Sequence, residues 1–181
     1  TWLLLGHQLD SVANQASKLA PVLNVESPHL GQAMAEPFGR AIALVARQEA
    51  VDLVCAASTT FAKDILPRAA AHLGGTMASD VVRHEWTETV VTATLRLIGK
   101  PQVVTVRASA YRAADFQKGS HPVRRAELDT AALTSRGKVV GLKSKQDTRP
   151  DVTEARVVVS GGGAVKTSED FERLVVGLAD V

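Results

Sequence analysis

Ser160, Gly161, Gly162 and Gly163 stand between an apolar run, Arg156 to Val159, and a segment of helical periodicity that Ser168 is placed to cap. Strand, glycine-rich turn and helix in that order aim free backbone N–H groups and the positive end of a helix at an anion, so phosphate binding is the chemistry the pattern supports. Three glycines serve equally well where a turn only needs tight backbone geometry. Lys166 is the nearest cation, and its plainer reading is a solvated lysine at the start of the helix.

The remaining reactive side chains form no set. His7, His29, His72, His84 and His121 are scattered, and none has a second ligand at the spacing metal sites favour. Cys55 lies inside the apolar run Leu53 to Ala57, where a cysteine is expected to be a small buried apolar residue rather than a nucleophile. Ser79 and Asp80 follow the third helical segment, and Arg107, Ser109 and Tyr111 close the run from Val103. Polar residues at strand ends line crevices in α/β proteins, but they also make caps and turns. No Ser, His, Asp spacing stands out.

The elements that must position these residues are legible from periodicity. Trp2 to Leu5 reads as a strand feeding a helix with Val12, Ala13, Ala16, Leu19 and Ala20 on one face, up to Pro21. Val22 to Val25 and a helix bearing Phe38, Ile42, Val45 and Ala46 repeat the unit. Leu53 to Ala57 is continuously apolar, as a parallel strand covered on both faces should be, and Ser58 to Thr60 can cap a helix bearing Phe61, Ile65, Leu66, Ala69 and Leu73. Pro67 conflicts with that helix and predicts a kink or a restart. From Val81 to Val106 β-branched residues crowd together with too little room for crossover helices, which predicts antiparallel hairpins. Short strands are expected at Val123 to Leu128 and Val139 to Lys143. The charged stretch ending at Pro150 suits a linker, so residues 1–150 form one domain and 151–181 begin another. Its single strand and helix, the latter with Phe171, Leu174, Val175 and Leu178 inward, cannot bury their own apolar faces. The fold class expected is α/β, a Rossmann-like three-layer sandwich with a mostly parallel sheet plus antiparallel hairpins.

Composition narrows the partners. The 181 residues carry 21 Lys plus Arg against 19 Asp plus Glu, a net charge of +2 that gives no support to nucleic-acid binding. Hydrophobic and charged fractions of 45% and 22% are those of ordinary globular domains. No apolar run reaches the roughly 20 residues needed to span a bilayer. One cysteine excludes an internal disulfide, which suits a reducing compartment. Without an initiator Met or a basic leader, the sequence reads as one that begins inside a domain.

Four ordered stretches, ASTTFAKDILPRAAAHL, MASDVV, VVTVRASAYRAAD and RPDVTEARVVVSGGGAVKTSEDFERL, resemble the alpha subunit of electron transfer flavoproteins. That resemblance covers almost the whole chain, less the family's first strand and helix, and ends soon after the second domain begins. It implies a heterodimer of alpha and beta subunits holding one FAD, mostly in the alpha C-terminal domain, and one AMP in the beta subunit. It also implies a carrier rather than an enzyme, which passes electrons one at a time from acyl-CoA dehydrogenases of fatty acid β-oxidation to a membrane quinone oxidoreductase. The compartment would be the mitochondrial matrix, or a bacterial cytoplasm.

Carried over by position, the FAD-facing loop is Ser160 to Lys166, with Gly161, Gly162 and Gly163 as the cofactor-binding residues. The chain departs from the family at Gly163, where an arginine is usual, and at Ala164, where a glycine is usual. A missing guanidinium removes up to about five donors and a fixed charge near the flavin. Two other classes compete. A nucleotide-binding regulatory or adenylating domain would use the same turn, yet Ala164 and Val165 replace the Asp and Ser of an SGGxDS phosphate loop, and no GxGxxG is completed. A structural partner that has lost its cofactor role would follow from the absent arginine.

Overall fold

The computed structural model describes residues 1–82, 97–115, 119–141, 152 and 155–180. They divide into two compact units, Thr1–Val139 and Val140–Val181. The linker expected to end at Pro150 lies outside the described residues.

In the first unit the elements run β1 (Trp2–Gly6), α1 (Asp10–Ala16), β2 (Val22–Glu26), α2 (Ala35–Gln48), β3 (Leu53–Ala57), α3 (Thr60–Leu73), β4 (Thr76–Val81), β5 (Gln102–Val106) and β6 (Val123–Arg125). Two three-stranded sheets result, ordered β1-β2-β6 and β3-β5-β4, and every pairing is parallel. This is the α/β, Rossmann-like class, with strands and helices alternating along the chain. Val103 to Val106, expected in an antiparallel hairpin, is instead β5 and lies between two parallel neighbours, so both its edges are taken. The rest of the expected hairpin region, 83–96, lies outside the described residues.

The core forms where the apolar periodicities meet. Leu23 and Val25 of β2, Phe38, Ile42 and Val45 of α2, Ile65, Leu66 and Ala69 of α3 and Val103 of β5 make one buried cluster. Val22 and Asn24, which alternate to the opposite face of β2, are buried too, as are Ala13 and Ser17 at α1. Burial on both faces explains why β2 is nearly continuous in apolar residues. Asn24 is the exception, and its Oδ1 has no partner among the described residues.

Helices α2 and α3 touch at Gly39, where an added Cβ would sit 2.9 Å from Cβ of Arg68. Thr59 caps α3, its hydroxyl accepting from the N–H of Ala62 at 3.1 Å, and Gly74 ends it in the left-handed region at φ 64°. The helix passes through Pro67 without restarting. Pro67 and Lys63 are on the exposed side, so the Lys63 carbonyl that loses its helical donor faces water, while Leu66 and Ala69 hold the other face in the core. α1 is shorter than its periodicity suggests, since Leu19 and Ala20 fall beyond its end in a turn. The strand expected at Val123 to Leu128 stops at Arg125, after which Ala126 tucks into the core with its N–H on the Asn24 carbonyl at 2.8 Å. Val139 to Gly141 form no strand.

In the second unit Arg156 to Val159 form no strand, and Val157 and Val158 are exposed. A strand needs a neighbour for its backbone groups, and the described residues of this unit supply none. The helical segment runs as α4 (Ser168–Phe171), a π-helical turn (Glu172–Val176) and α5 (Gly177–Ala179). Of its apolar face only Val175 is buried, whereas Phe171, Leu174 and Leu178 are exposed.

Candidate functional site

The glycine turn lies in the second unit with its three glycines exposed. The N–H of Val165 donates to the Gly162 carbonyl at 3.0 Å and closes the turn. Gly161 packs inward, where a Cβ would stand 3.0 Å from methyl carbons of both Val165 and Val175, so this glycine seats the turn on the helix. Around Gly162 and Gly163 an added Cβ would meet nothing within 4 Å, and neither has a positive φ. No hydrogen bond among the described residues engages the N–H groups of Gly161, Gly162 or Gly163. A flat or anionic group can therefore approach the bare backbone at 162–163.

The helix that follows offers less. Its cap is Thr167 rather than Ser168: the Thr167 hydroxyl accepts from the N–H of Asp170 at 3.1 Å and lies 2.9 Å from Asp170 Oδ2. Glu169 and Asp170 occupy the first turn, with Asp170 paired to Arg173 at 3.2 Å. Two carboxylates already complement the helix dipole, so this end attracts a further anion weakly. Lys166 is exposed beside it.

In the first unit, the carboxyl ends of β3, β5 and β4 gather Ser58, Ser79, Asp80 and Arg107 around Thr105. Thr105 is fully buried; its Oγ1 accepts from the Asp80 N–H at 2.8 Å and lies 3.0 Å from the Ser79 hydroxyl and 3.2 Å from that of Ser58. Asp80 sits at φ 59° in the bulge between Ala78 and Val81. Its carboxylate takes Nε and a terminal nitrogen of Arg107 at 3.2 and 2.5 Å. The Arg107 guanidinium, with help from the Ser58 hydroxyl and Lys63, holds the Asp80 carboxyl below the ordinary aspartate range. Three partners use the full hydrogen-bonding capacity of the Thr105 hydroxyl. The group is thus a brace that fixes three strand ends, with neither a free base nor a free nucleophile. Ser109 and Tyr111 stand apart from it, in and just after an exposed 3-10 turn. Thr105 was invisible as the hub because a threonine in a β-branched run reads as one more strand former.

Cys55 differs from expectation: it lies on edge strand β3 and is exposed, and desolvation by its surroundings raises its thiol above the usual pKa, which disfavours the thiolate. Among the described residues no three His, Cys, Asp or Glu side chains converge as a metal set, and His84 lies outside them.

Parallel strands alternating with helices place the first unit in the Rossmann-like α/β class. The model of the electron transfer flavoprotein domain matches residues 1–131, and the chain belongs to that family. Three relatives it resembles are alpha subunits. It is 28% identical over 188 residues to the mitochondrial electron transfer flavoprotein subunit alpha of Arabidopsis thaliana, covering 93% of this chain and 52% of that protein. The mitochondrial alpha subunit of Oryza sativa subsp. japonica is 30% identical over 192 residues, 95% of this chain and 54% of its own length. The alpha subunit of Bradyrhizobium diazoefficiens is 30% identical over 155 residues, 81% and 48%. The chain spans about half the length of the curated relatives it matches.

Proposed function

We propose that this chain is part of the alpha subunit of an electron transfer flavoprotein, a carrier rather than an enzyme. Residues 1–150 are its first domain and 151–181 the beginning of the FAD-binding domain. The subunit pairs with a beta subunit that holds AMP. FAD, bound mostly by alpha-subunit residues outside this chain, carries electrons from acyl-CoA and related dehydrogenases of fatty acid β-oxidation to a membrane quinone oxidoreductase. The family match over residues 1–131 carries this reading. Gly161, Gly162 and Gly163 serve as the cofactor-binding turn: Gly161 seats it on the helix, the backbone of Gly162 and Gly163 is open, and no hydrogen bond among the described residues engages their N–H groups. The compartment is the mitochondrial matrix; the relative from Bradyrhizobium supports a bacterial cytoplasm as the second reading.

The test is the visible spectrum of the full-length gene product purified with its natural beta subunit. A flavin spectrum that bleaches on addition of reduced acyl-CoA dehydrogenase is expected. A folded but colourless complex would overturn the carrier reading. Gly163→Arg refines the test: the open space around Gly163 leaves the fold unchanged, and tighter flavin retention on dialysis is expected if this position faces the cofactor.

A further inference from the structure

We propose that the groove between α2 and α3 is a docking surface for an acidic segment of a protein partner, one that seats an apolar side chain between carboxylates. A cavity of about 190 Å³ lies there, lined by Arg40, Ala43, Leu44, Arg47, His72 and Ala132. Its floor is aliphatic and its rim is basic. Arg40, Leu44 and Arg47 follow one another at helical spacing along a single face of α2. His72 of α3 closes the other side, and Arg68 stands one turn before it on α3, beside the lining, where Gly39 lets the helices touch.

Part of the positive charge here has no carboxylate partner among the described residues. Arg40 is neutralised by Glu36 at 2.9 Å and tied to the Thr134 carbonyl at 2.8 Å. Arg47 donates one N–H to the His72 carbonyl, which holds its guanidinium over the groove, and has no carboxylate partner among the described residues. Arg68 forms no ion pair there either, although Asp64 stands one turn before it on α3. Free guanidinium groups match carboxylates in bidentate fashion, and a partly immobilised one loses less entropy on binding.

The shape of the patch selects the class of partner. A polyanion such as nucleic acid binds best to a row of cations in a strongly basic protein, whereas these few surround a concave apolar floor in a chain of net charge +2. A membrane surface would meet a recess where it needs an apolar projection. An acidic peptide with a leucine-like residue satisfies both the rim and the floor. This inference is independent of the flavin reading, since the groove belongs to Thr1–Val139 and the glycine turn to Val140–Val181.

The test is fluorescence anisotropy with the full-length gene product, purified with its natural beta subunit, and a labelled peptide in which pairs of glutamates alternate with leucine. The same peptide with lysine for glutamate, an oligothymidylate and phosphatidylserine vesicles serve as rivals. Saturable binding of the acidic peptide alone is expected, weakened by salt and about tenfold weaker in Arg47→Glu/Arg68→Glu. Arg47→Gln/Arg68→Gln should fall between, with unchanged circular dichroism in both variants. The proposal is overturned by absence of saturable binding at low ionic strength, by binding indifferent to the double reversal, or by tighter binding of the oligothymidylate or the vesicles.

Discussion

The two units of this chain carry the same kind of apolar signal and use it differently. In Thr1–Val139 the periodic residues of α2 and α3 become core, with Leu66 and Ala69 almost fully buried. In Val140–Val181 an equally regular series, Phe171, Leu174, Val175 and Leu178, buries one member, and the apolar run before the glycine turn forms no strand. Periodicity therefore specifies a face that can be buried, and a second layer is what turns that face into stability.

The largest expected effect tests this contrast directly. Leu66→Ala should cost about 2–5 kcal/mol in urea unfolding followed by circular dichroism, while Leu174→Ala should stay within about 0.5 kcal/mol. Comparable losses from both would erase the distinction between the units. Next, Thr105→Val strips three polar groups of a buried partner and should destabilise the first unit by about 1–3 kcal/mol, read from the same transition.

A smaller effect concerns acid. Because Arg107 lowers the Asp80 carboxyl in the fold, the contribution of the pair is complete above the ordinary aspartate pKa of about 3.9 and is lost as pH falls through the lower folded value. Asp80→Asn keeps a residue that tolerates φ 59°, so the backbone survives. Urea midpoints compared between pH 6 and pH 3 should show the parent protein losing stability relative to this variant as pH drops below about 4. A constant difference across that range would remove the ion pair from the account. The smallest change is Asn24→Val, which removes a buried Oδ1 without a partner among the described residues in favour of a good strand former and should be neutral or stabilising by up to about 1 kcal/mol in thermal unfolding. A clear loss would mean the Asn24 amide has a partner that matters.

Most of the first unit was legible from local pattern. Strands β1 to β3 and helices α2 and α3 fall where short apolar runs, helical periodicity and caps put them, Thr59 included. What was misread depends on contacts distant in sequence. Nothing local says that Val103 to Val106 is flanked by β3 and β4 in parallel, because the texture of a β-branched run is the same in either orientation. Cys55 was taken as buried because its neighbours are apolar, but its strand lies at a sheet edge, and edge position is a property of topology. Of the strand, glycine turn and helix expected around Ser160, the turn and the helix are present and the strand is not. The helix cap shifted by one residue, to Thr167, since two adjacent hydroxyl residues compete for that position and backbone geometry chooses between them.

The parallel pairing of β2 with β6 also has a kinetic consequence. Val22 is registered with Val123, and Glu26 bonds Arg125 from 99 positions away. The sheet that starts the chain therefore stays unfinished until almost the whole first unit has left the ribosome. Closing so long a loop is entropically costly before any contact rewards it, so β6 should dock late and slowly. Until then the edge of β2 stands open, and nascent chains are most exposed to mispairing during that interval.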